Sequence, residues 1–187
     1  ARLGSGTASS STYLRGDNTW ATAGDVSTDD YVIFQNLKSP GSSSGGLTQD
    51  TWVKRTLQTT PTNTITNASL TNSVITLPAG TYYCRFWGSA YYCGAHQARL
   101  RDTTSSVTLL YGSSELAWVA SPYPASHSVG QGMFTLSGLS TLEFQHIAGE
   151  TSSTHGQGRR VGSSSSGDVD TGDLQKELYC AIEFWKV

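Results

Sequence analysis

The chain has 187 residues and a weakly charged, aromatic composition, with 14% charged residues, five Trp and nine Tyr. Soluble proteins average roughly 25% charged residues, and this departure is typical of a β-rich protein. The net charge of −2 provides no basic field, and no apolar run approaches the ~20 residues of a membrane-spanning helix, so we expect neither nucleic-acid binding nor membrane insertion.

The N-terminal part of the chain differs in composition from the rest. Residues 1–30 are rich in Gly, Ser and Thr and hold few apolar side chains. Such a segment buries too little apolar surface to form its own core. We therefore predict an extended stalk or connector over residues 1–30 and one head domain over residues 31–187. Residues 1–11 lack an apolar stretch, so no signal peptide is expected there.

The first half of the head predicts strands separated by Pro- and Gly-containing connections. Four segments are rich in β-branched or aromatic residues or alternate between apolar and polar side chains: residues 31–37, 52–58, 73–77 and 81–90. Pro and Gly predict a loop over residues 38–50 and a turn at residues 78–80. Along the last strand Tyr82, Cys84 and Phe86 share one face, which is the more apolar of the two.

The second half predicts two hairpins and a terminal strand. The hairpin strands are residues 95–102, 106–111, 132–136 and 141–148, joined by turns at residues 102–105 and 137–140. In the terminal strand, residues 177–187, Leu178, Cys180, Ile182 and Phe184 face one way, and Tyr179, Ala181, Glu183 and Trp185 face the other. No segment sustains a helical period, so about eight to ten antiparallel strands predict an all-β sandwich or jelly roll.

Three cysteines occur, and each lies in an apolar or aromatic stretch. Free cysteines commonly behave as small buried apolar residues, so Cys84, Cys93 and Cys180 are predicted to be buried thiols. A disulfide between Cys84 and Cys93 is the alternative, and it requires Cα atoms within ~7 Å.

The segment before the head carries a specific motif. Residues 6–21 read GTASSSTYLRGDNTWA, which closely resembles an element of the form GTxSSxTxLRGDGTWA in many bacteriophage tail fibre proteins; Asn18 replaces the usual Gly. The resemblance implies a position just before the distal head of a fibre. Arg15-Gly16-Asp17 belongs to this element, so we interpret it as part of a turn rather than as an integrin-binding tripeptide.

The head resembles phage fibre heads built on the trimeric jelly roll of tumour necrosis factor and the complement globular head. The resembling segments are LPAGTY (residues 77–82), HQARL (96–100), GMFTL (132–136), LEFQH (142–146) and IEFWKV (182–187), while residues 149–173 are an insertion. The resemblance implies a homotrimer at the distal end of a virion's tail fibre. It also implies attachment to the rest of the fibre through the N-terminus and adhesion to a host cell-surface glycan or outer-membrane protein.

Histidine and aspartate residues are the candidate metal ligands of the chain. No two of the four His residues have His-x-His or His-x-x-x-His spacing, and His96 and His146 lie in predicted strands, where hydrogen-bonded structural roles are favoured. An ion held by His residues on a trimer axis is the alternative. Asp168, Asp170 and Asp173 lack the closing Glu and fixed Gly of a calcium loop, so we predict a solvated loop there, no metal and no cofactor.

Two segments are candidate receptor-binding loops. Residues 112–127 place Trp118, Tyr123 and His127 among Pro and Ser, and aromatic faces suit sugar rings. The alternative is that Trp118 packs beneath its own loop. Residues 154–160 hold His155, Arg159 and Arg160, cationic groups suited to a phosphate or an acidic sugar, with a merely solvated basic loop as the alternative.

The sequence offers no catalytic residues. It contains no Gly-x-Ser-x-Gly element, and its 14 Asp and Glu residues fall mostly in loops or singly on strands. We therefore predict a trimeric fibre-tip adhesin and not an enzyme. A small capsule-degrading or deacetylating enzyme and a structural trimerisation cap of the fibre are the two alternatives.

Overall fold

The computed structural model describes residues 9, 12–14, 16, 18–22, 30–39, 41–118, 125–159 and 176–187. These residues form strands and no helix, and the strands are β1 (Thr12–Leu14), β2 (Trp20–Thr22), β3 (Tyr31–Lys38), β4 (Val53–Lys54), β5 (Thr59–Asn63), β6 (Ser69–Thr71), β7 (Val74–Leu77), β8 (Gly80–Tyr91), β9 (Gly94–Asp102), β10 (Val107–Ala117), β11 (Ala125–Leu136), β12 (Ser140–Ala148) and β13 (Glu177–Lys186). In this described part of the chain no helix is long and apolar enough to cross a membrane.

The strands of the head form two antiparallel sheets packed face to face. The β8 sheet has the order β11-β8-β13-β3-β5, and the β9 sheet has the order β10-β9-β12-β7-β6 with β4 paired to β12. From β7 onwards the chain changes sheet between β7 and β8, between β8 and β9, between β10 and β11, between β11 and β12, and between β12 and β13. Such repeated crossing between two sheets is the connectivity of a jelly roll. The prediction of an all-β sandwich is confirmed.

Alternation along the strands decides which side chains fill the space between the sheets. On β8 the side chains of Tyr82, Cys84 and Phe86 are buried, as the period of two predicts. Phe86 meets Phe144 of the β9 sheet with ring centroids 5.1 Å apart. These residues belong to the main core, which consists of Val32, Phe34, Leu57, Ile65, Ala68, Ile75, Leu77, Tyr82, Cys84, Phe86, Ala98, Leu100, Leu136, Leu142, Phe144, Cys180, Ile182 and Phe184.

A second apolar cluster is smaller and consists largely of alanine. This satellite cluster contains Leu47, Ala90, Cys93, Ala117 and Ala148. All three cysteines are free and buried, two in the main core and Cys93 in the satellite cluster. Burial raises the pKa of Cys93 to about 11 and that of Cys84 well above its usual value. The buried-thiol prediction is confirmed, and the alternative disulfide is not formed.

The two ends of the sandwich differ in the connections they carry. Lys186 N–H donates to the Asp30 carbonyl and Val187 N–H to the Thr81 carbonyl, both at 2.9 Å, so both ends of the head chain lie together. Here, at the proximal end, the short β9–β10 and β11–β12 turns also occur. The connections that follow β3, β8, β10 and β12 begin at the opposite, distal end. Residues preceding Asp30 therefore join the head opposite the distal connections.

Irregular pairing changes the predicted extent of two segments. The predicted loop over residues 112–127 is wrong in extent, because β10 continues to Ala117 and β11 begins at Ala125. β10 pairs with β9 through two register shifts, and such bulges break the alternation on which a sequence pattern depends. Of the predicted strand over residues 52–58, only Val53–Lys54 is a strand. The predicted hairpin of residues 95–102 and 106–111 is confirmed, because β9 pairs with β10. The second predicted hairpin is wrong, because β11 pairs with β8 while β12 pairs with β9 in the other sheet, so the turn between them connects the two sheets.

A bulge also corrects the predicted faces of the terminal strand. In the pairing of β13 with β3, Leu178 lies opposite Leu37 and Cys180 lies opposite Asn36, so Tyr179 is the extra residue. Tyr179 is consequently buried, whereas Leu178 is 41% exposed. The prediction for these two residues is wrong, because a single inserted residue reverses the alternation on one side of it.

Within the segment predicted to be a stalk, β1 pairs with β2 in antiparallel register, Leu14 opposite Trp20. Asn18 in the intervening turn has φ 63°. This left-handed conformation is easiest for Gly and tolerated by Asn, which explains how Asn18 can stand where the resembling fibre element has Gly. The boundary between a stalk and a head at residue 30 remains a prediction.

Candidate functional site

The solvent side of the β8 sheet carries an unusual number of aromatic and apolar side chains. We call this surface the aromatic face; its members are Tyr31, Tyr83, Arg85, Trp87, Val129, Met133, Glu183 and Trp185. They occupy the outward positions of β3, β8, β11 and β13, alternating with residues of the main core. Val129 is 53% and Met133 61% exposed. A strand covered on one side only normally presents polar side chains to water, so this face departs from the usual alternation.

The rings of the aromatic face contact each other, and its charges are paired. Trp185 lies 5.0 Å from Tyr31 and 5.6 Å from Tyr83 between ring centroids, with the Arg85 guanidinium 5.8 Å from its ring. Arg85 also forms a 3.0 Å ion pair with Glu183. Burial, and to a lesser extent the Glu183 carboxylate, raise the pKa of Tyr31. The face therefore presents aromatic area with little uncompensated charge.

A cavity of about 770 Å³ opens on this face between β8, β10 and β11. Trp87, Tyr111, His127 and Val129 line it, together with the Arg85–Glu183 pair. The His127 imidazole meets the Trp87 ring edge-on, with centroids 5.2 Å apart. Desolvation, followed by the charge of buried Arg55, lowers the pKa of His127. The cavity is thus an apolar recess with a neutral imidazole at its rim.

The distal end carries a second group of aromatic and cationic side chains around Tyr91. The Arg159 guanidinium lies 5.3 Å from the Tyr91 ring centroid and also donates a hydrogen bond to the Tyr91 hydroxyl. His155 meets the same ring edge-on at 6.5 Å. The segment holding them is fixed to the sheet because Tyr91 N–H donates to the Gly156 carbonyl at 3.1 Å. These contacts place Tyr91, His155 and Arg159 together.

A smaller cavity, of about 290 Å³, lies beside this group, and His127, Arg159, Lys176 and Glu177 line it. The Glu177 carboxylate accepts hydrogen bonds from Gly41 N–H, at 3.1 Å, and from the Tyr179 hydroxyl. Its negative charge is therefore engaged within the protein, while Arg159 and Lys176 border the cavity. Such a recess can hold an anionic or polyhydroxy group.

The structure brings together three of the six predicted receptor-binding residues. His127, His155 and Arg159 lie around the smaller cavity and Tyr91. Trp118 directly follows β10 at the distal end and is 54% exposed. Tyr123 and Arg160 lie outside the described residues. A receptor-binding role for all six remains a prediction.

Sequence reasoning missed several residues of the aromatic face. Val129 and Met133 are absent from the predicted site, although outward positions 127, 129, 131 and 133 of one strand give a period-two signal that identifies them. Tyr111 was missed because the bulges of β10 hide its direction. For Tyr91, the sequence shows only neighbouring aromatic residues and no pattern that indicates a place in the site.

The described residues contain no candidate metal site. There, no three or more His, Cys, Asp or Glu side chains group in a way that could hold an ion. His96 and His146 are buried and hydrogen-bonded to each other at 2.9 Å, which confirms the predicted structural roles for these two histidines. Asp168, Asp170 and Asp173 lie outside the described residues.

Comparisons with known proteins establish the fold. No protein-family model and no curated protein matches the chain. The structure of Eiger TNF from S. frugiperda is similar with a TM-score of 0.51 and 13% identity, over 84% of this chain and 91% of that chain. The globular domain of the zebrafish complement 1qA protein gives 0.46 at 17% identity (83% and 96% covered), and murine APRIL gives 0.43 at 10% identity (84% and 98% covered). The chain thus has a jelly-roll sandwich fold similar to that of Eiger TNF.

Proposed function

We propose that this chain is the receptor-binding head of a bacteriophage tail fibre. Three copies assemble about a threefold axis, with the aromatic face of each copy covered by its neighbours. The distal ends of the three heads then contact a glycan or an outer-membrane protein on the host cell, and the N-terminal segments join the heads to the fibre. The activity is adhesion, without chemical turnover, at the distal end of the virion's fibre.

The aromatic face is the observation that carries this proposal. Trp87, Trp185, Val129 and Met133 lie together on one side of a sheet, and the Arg85–Glu183 pair neutralises the charges among them. Contiguous apolar surface of this kind marks an interaction site, and obligate interfaces between copies resemble a protein core cut in half. A second and third copy of the chain are the partners that match such a surface, because its pairing of charges leaves no net charge for an oppositely charged partner.

The two ends of the head carry different groups, and this arrangement supports a position at the tip of a fibre. Asp30 lies at the proximal end, whereas Trp118, His155 and Arg159 lie at the distal end. A stalk that precedes residue 30 would therefore hold the candidate receptor residues away from the particle. The resemblance of residues 6–21 to a tail fibre element supports the same orientation.

Weak contacts suffice for adhesion when they are repeated. The smaller cavity and the exposed Trp118 provide a cationic recess and a flat ring, two groups that bind sugars or polar protein loops. Three such sites held rigidly on one trimer strengthen binding by roughly 10² to 10⁴ when the geometry permits simultaneous contact. A receptor arrayed on a cell surface meets that condition.

Assembly through the aromatic face is tested by two identical substitutions. Val129→Glu places a carboxylate on the aromatic face, and Val107→Glu places one on β10 in the other sheet; the two valines are 53% and 52% exposed. Burying unpaired carboxylates is costly, so Val129→Glu is expected to weaken trimer formation by at least ~100-fold while Val107→Glu leaves it unchanged. Light scattering measures both. Equal behaviour of the two variants would contradict the proposed interface.

Adhesion through the distal end is tested by adsorption of the purified chain to bacteria that bind it. Trp118→Ala and Arg159→Ala are each expected to reduce adsorption about tenfold or more without changing the assembly, and Leu139→Ala, a 65% exposed residue at the proximal end, is the control. Unchanged adsorption in both distal variants would favour a structural cap. Shortened or deacetylated host polysaccharide after incubation would favour an enzyme.

A further inference from the structure

A chain of hydrogen-bonded side chains crosses the interior of the sandwich towards the distal end. Arg55 Nη1 lies 2.6 Å from His146 Nδ1, His146 Nε2 lies 2.9 Å from His96 Nδ1, and His96 Nε2 lies 2.7 Å from Ser126 Oγ. Ser126 Oγ in turn lies 3.0 Å from the carbonyl of Leu116. Arg55 and His146 are fully buried, and His96 is 3% exposed. The chain therefore connects the interior to the ends of β10 and β11.

The donors and acceptors along this chain can be assigned in one direction. An arginine guanidinium is always protonated and only donates, so His146 Nδ1 must accept and carry no proton. The His146 proton then lies on Nε2 and is donated to His96 Nδ1. His96 in turn carries its proton on Nε2 and donates it to Ser126 Oγ, whose own O–H donates to the Leu116 carbonyl. Both imidazoles are neutral in this arrangement.

A proton added to either imidazole has no place in the chain. A proton on His146 Nδ1 would face the Arg55 donor, and a proton on His96 Nδ1 would face the His146 donor. Arg55 already brings a positive charge into the interior, where its other hydrogen bonds go to the carbonyls of Ser89, Gln157 and Tyr179. Acid therefore replaces an attractive contact by a repulsion between two cations.

The charged groups facing the two histidines favour their neutral forms on balance. His146 faces Arg55 and His96, and burial followed by these two groups lowers its pKa well below the usual value. His96 faces Arg55, His127 of β11 and the Glu115 carboxylate of β10. Burial and Arg55 outweigh the opposing effect of Glu115 and lower the pKa of His96 to about 4.

The part of the sandwich that this chain holds has little apolar packing of its own. Ser126, the second residue of β11, connects this strand to the Leu116 carbonyl near the end of β10, and His96 and His146 extend the connection to β9 and β12. The apolar contacts at this end come from the satellite cluster, most of whose side chains are alanine or cysteine. Regions with few apolar contacts open locally before the rest of a protein unfolds.

We propose that the Arg55–His146–His96–Ser126 chain is an acid-sensitive latch. At neutral pH it closes the distal end, and in mildly acidic solution it releases the adjoining ends of β10 and β11 while the main core stays folded. This inference does not rest on the proposed adhesion function, because it concerns the opening of the head itself.

Cysteine labelling of the full chain tests the latch. Cys93 reports on the satellite cluster, and Cys84 and Cys180 report on the main core. With a dithiodipyridine reagent, which reacts at acidic pH, Cys93 is expected to react at least ~10-fold faster at about pH 4.5 than at about pH 7, after normalisation to a cysteine peptide. Mass spectrometry identifies each labelled cysteine. Protection of Cys93 at both pH values, or simultaneous labelling of all three cysteines, would overturn the proposal.

Variants assign the response to these histidines. Glutamine cannot be protonated in this range, so His96→Gln and His146→Gln are each expected to reduce the acid-to-neutral ratio of Cys93 labelling. His155→Gln, at a half-buried position outside the hydrogen-bonded chain, is expected to keep the ratio. Should the interior variants not fold, ¹⁵N chemical shifts of the unaltered protein decide the question. Both buried imidazoles are expected to be Nε2-protonated at neutral pH and to become imidazolium as Cys93 opens. Opening with both imidazoles still neutral, or an unchanged ratio in folded interior variants, would contradict the latch.

Discussion

The main core and the distal end of the sandwich are held together by different interactions. In the main core, rings such as Phe86 and Phe144 pack across the sheets, 5.1 Å apart. At the distal end Arg55 donates to three backbone carbonyls and to His146, and Asn36 donates to Ser44 at 2.5 Å. Apolar contacts have no direction and do not titrate, whereas the hydrogen bond from Arg55 to His146 depends on the protonation of the imidazole. One fold therefore combines a region indifferent to pH with a region sensitive to it.

A truncation in the main core is expected to have the largest effect and to be independent of pH. Phe184 is fully buried and contacts the rings of Phe34, Tyr82 and Phe134 with centroids 6.2 to 6.4 Å apart. Phe184→Ala leaves a cavity and should lower the free energy of unfolding by about 3–5 kcal/mol. Urea unfolding at a fixed protein concentration measures the loss. A loss that differs between about pH 7 and pH 5.5 would break the comparison between the two regions.

Acid should weaken the distal end by an amount that the two histidines determine. The pKa values of both histidines in the folded chain lie below the ordinary value of 6.5, and that of His96 is about 4. As the pH falls below 6.5, the unfolded chain therefore binds more protons than the folded chain does. The contribution of the two histidines to the free energy of unfolding is thus fully present above pH 6.5. It falls on acidification by at most about 1.4 kcal/mol per pH unit for each histidine. Unfolding curves across this range measure the slope, which should level off once the latch has opened. A stability that is constant or rises towards acid would contradict the assignment.

A pair of glycines should produce the smallest of these changes and sharpen the account of the core. A Cβ on Gly130 would lie 2.3 Å from the Phe86 ring, whereas a Cβ on Gly138 meets nothing within 4 Å. Gly130→Ala should cost about 1–3 kcal/mol, because the dense core must shift Phe86. Gly138→Ala should change stability by less than about 0.5 kcal/mol. Thermal unfolding of both variants provides the comparison, and equal losses would show that Phe86 moves freely.

Regular alternation made the main core predictable from the sequence. Tyr82, Cys84 and Phe86 were assigned to one buried face because a strand repeats every two residues, and β8 has no bulge in its pairing with β11. The β9–β10 hairpin follows from a short turn of small and polar residues. The similar turn after β11 leads into the other sheet, a choice that the turn residues alone do not determine. Sequence therefore sufficed where pairing is regular and the burial is apolar.

Other features depend on contacts between segments that are remote in the chain. Tyr179 changes face because of one extra residue in the pairing with β3, which no local pattern reports. Arg55 is fully buried because carbonyls of three separate segments surround its guanidinium, and a charged residue by itself predicts exposure. At the candidate site, exposed Trp118 stood out by residue type, but the partnership of Arg159 with Tyr91 joins residues 68 positions apart.

The proposed assembly through the aromatic face is tested most directly by the mass of the unaltered chain in dilute solution. Sedimentation equilibrium at nanomolar concentration is expected to give a single species with three times the 19.9 kDa mass of one chain. Trp87, Trp185 and Met133 would then be covered by neighbouring copies. A single species with the mass of one chain would leave these side chains in water and contradict the proposal.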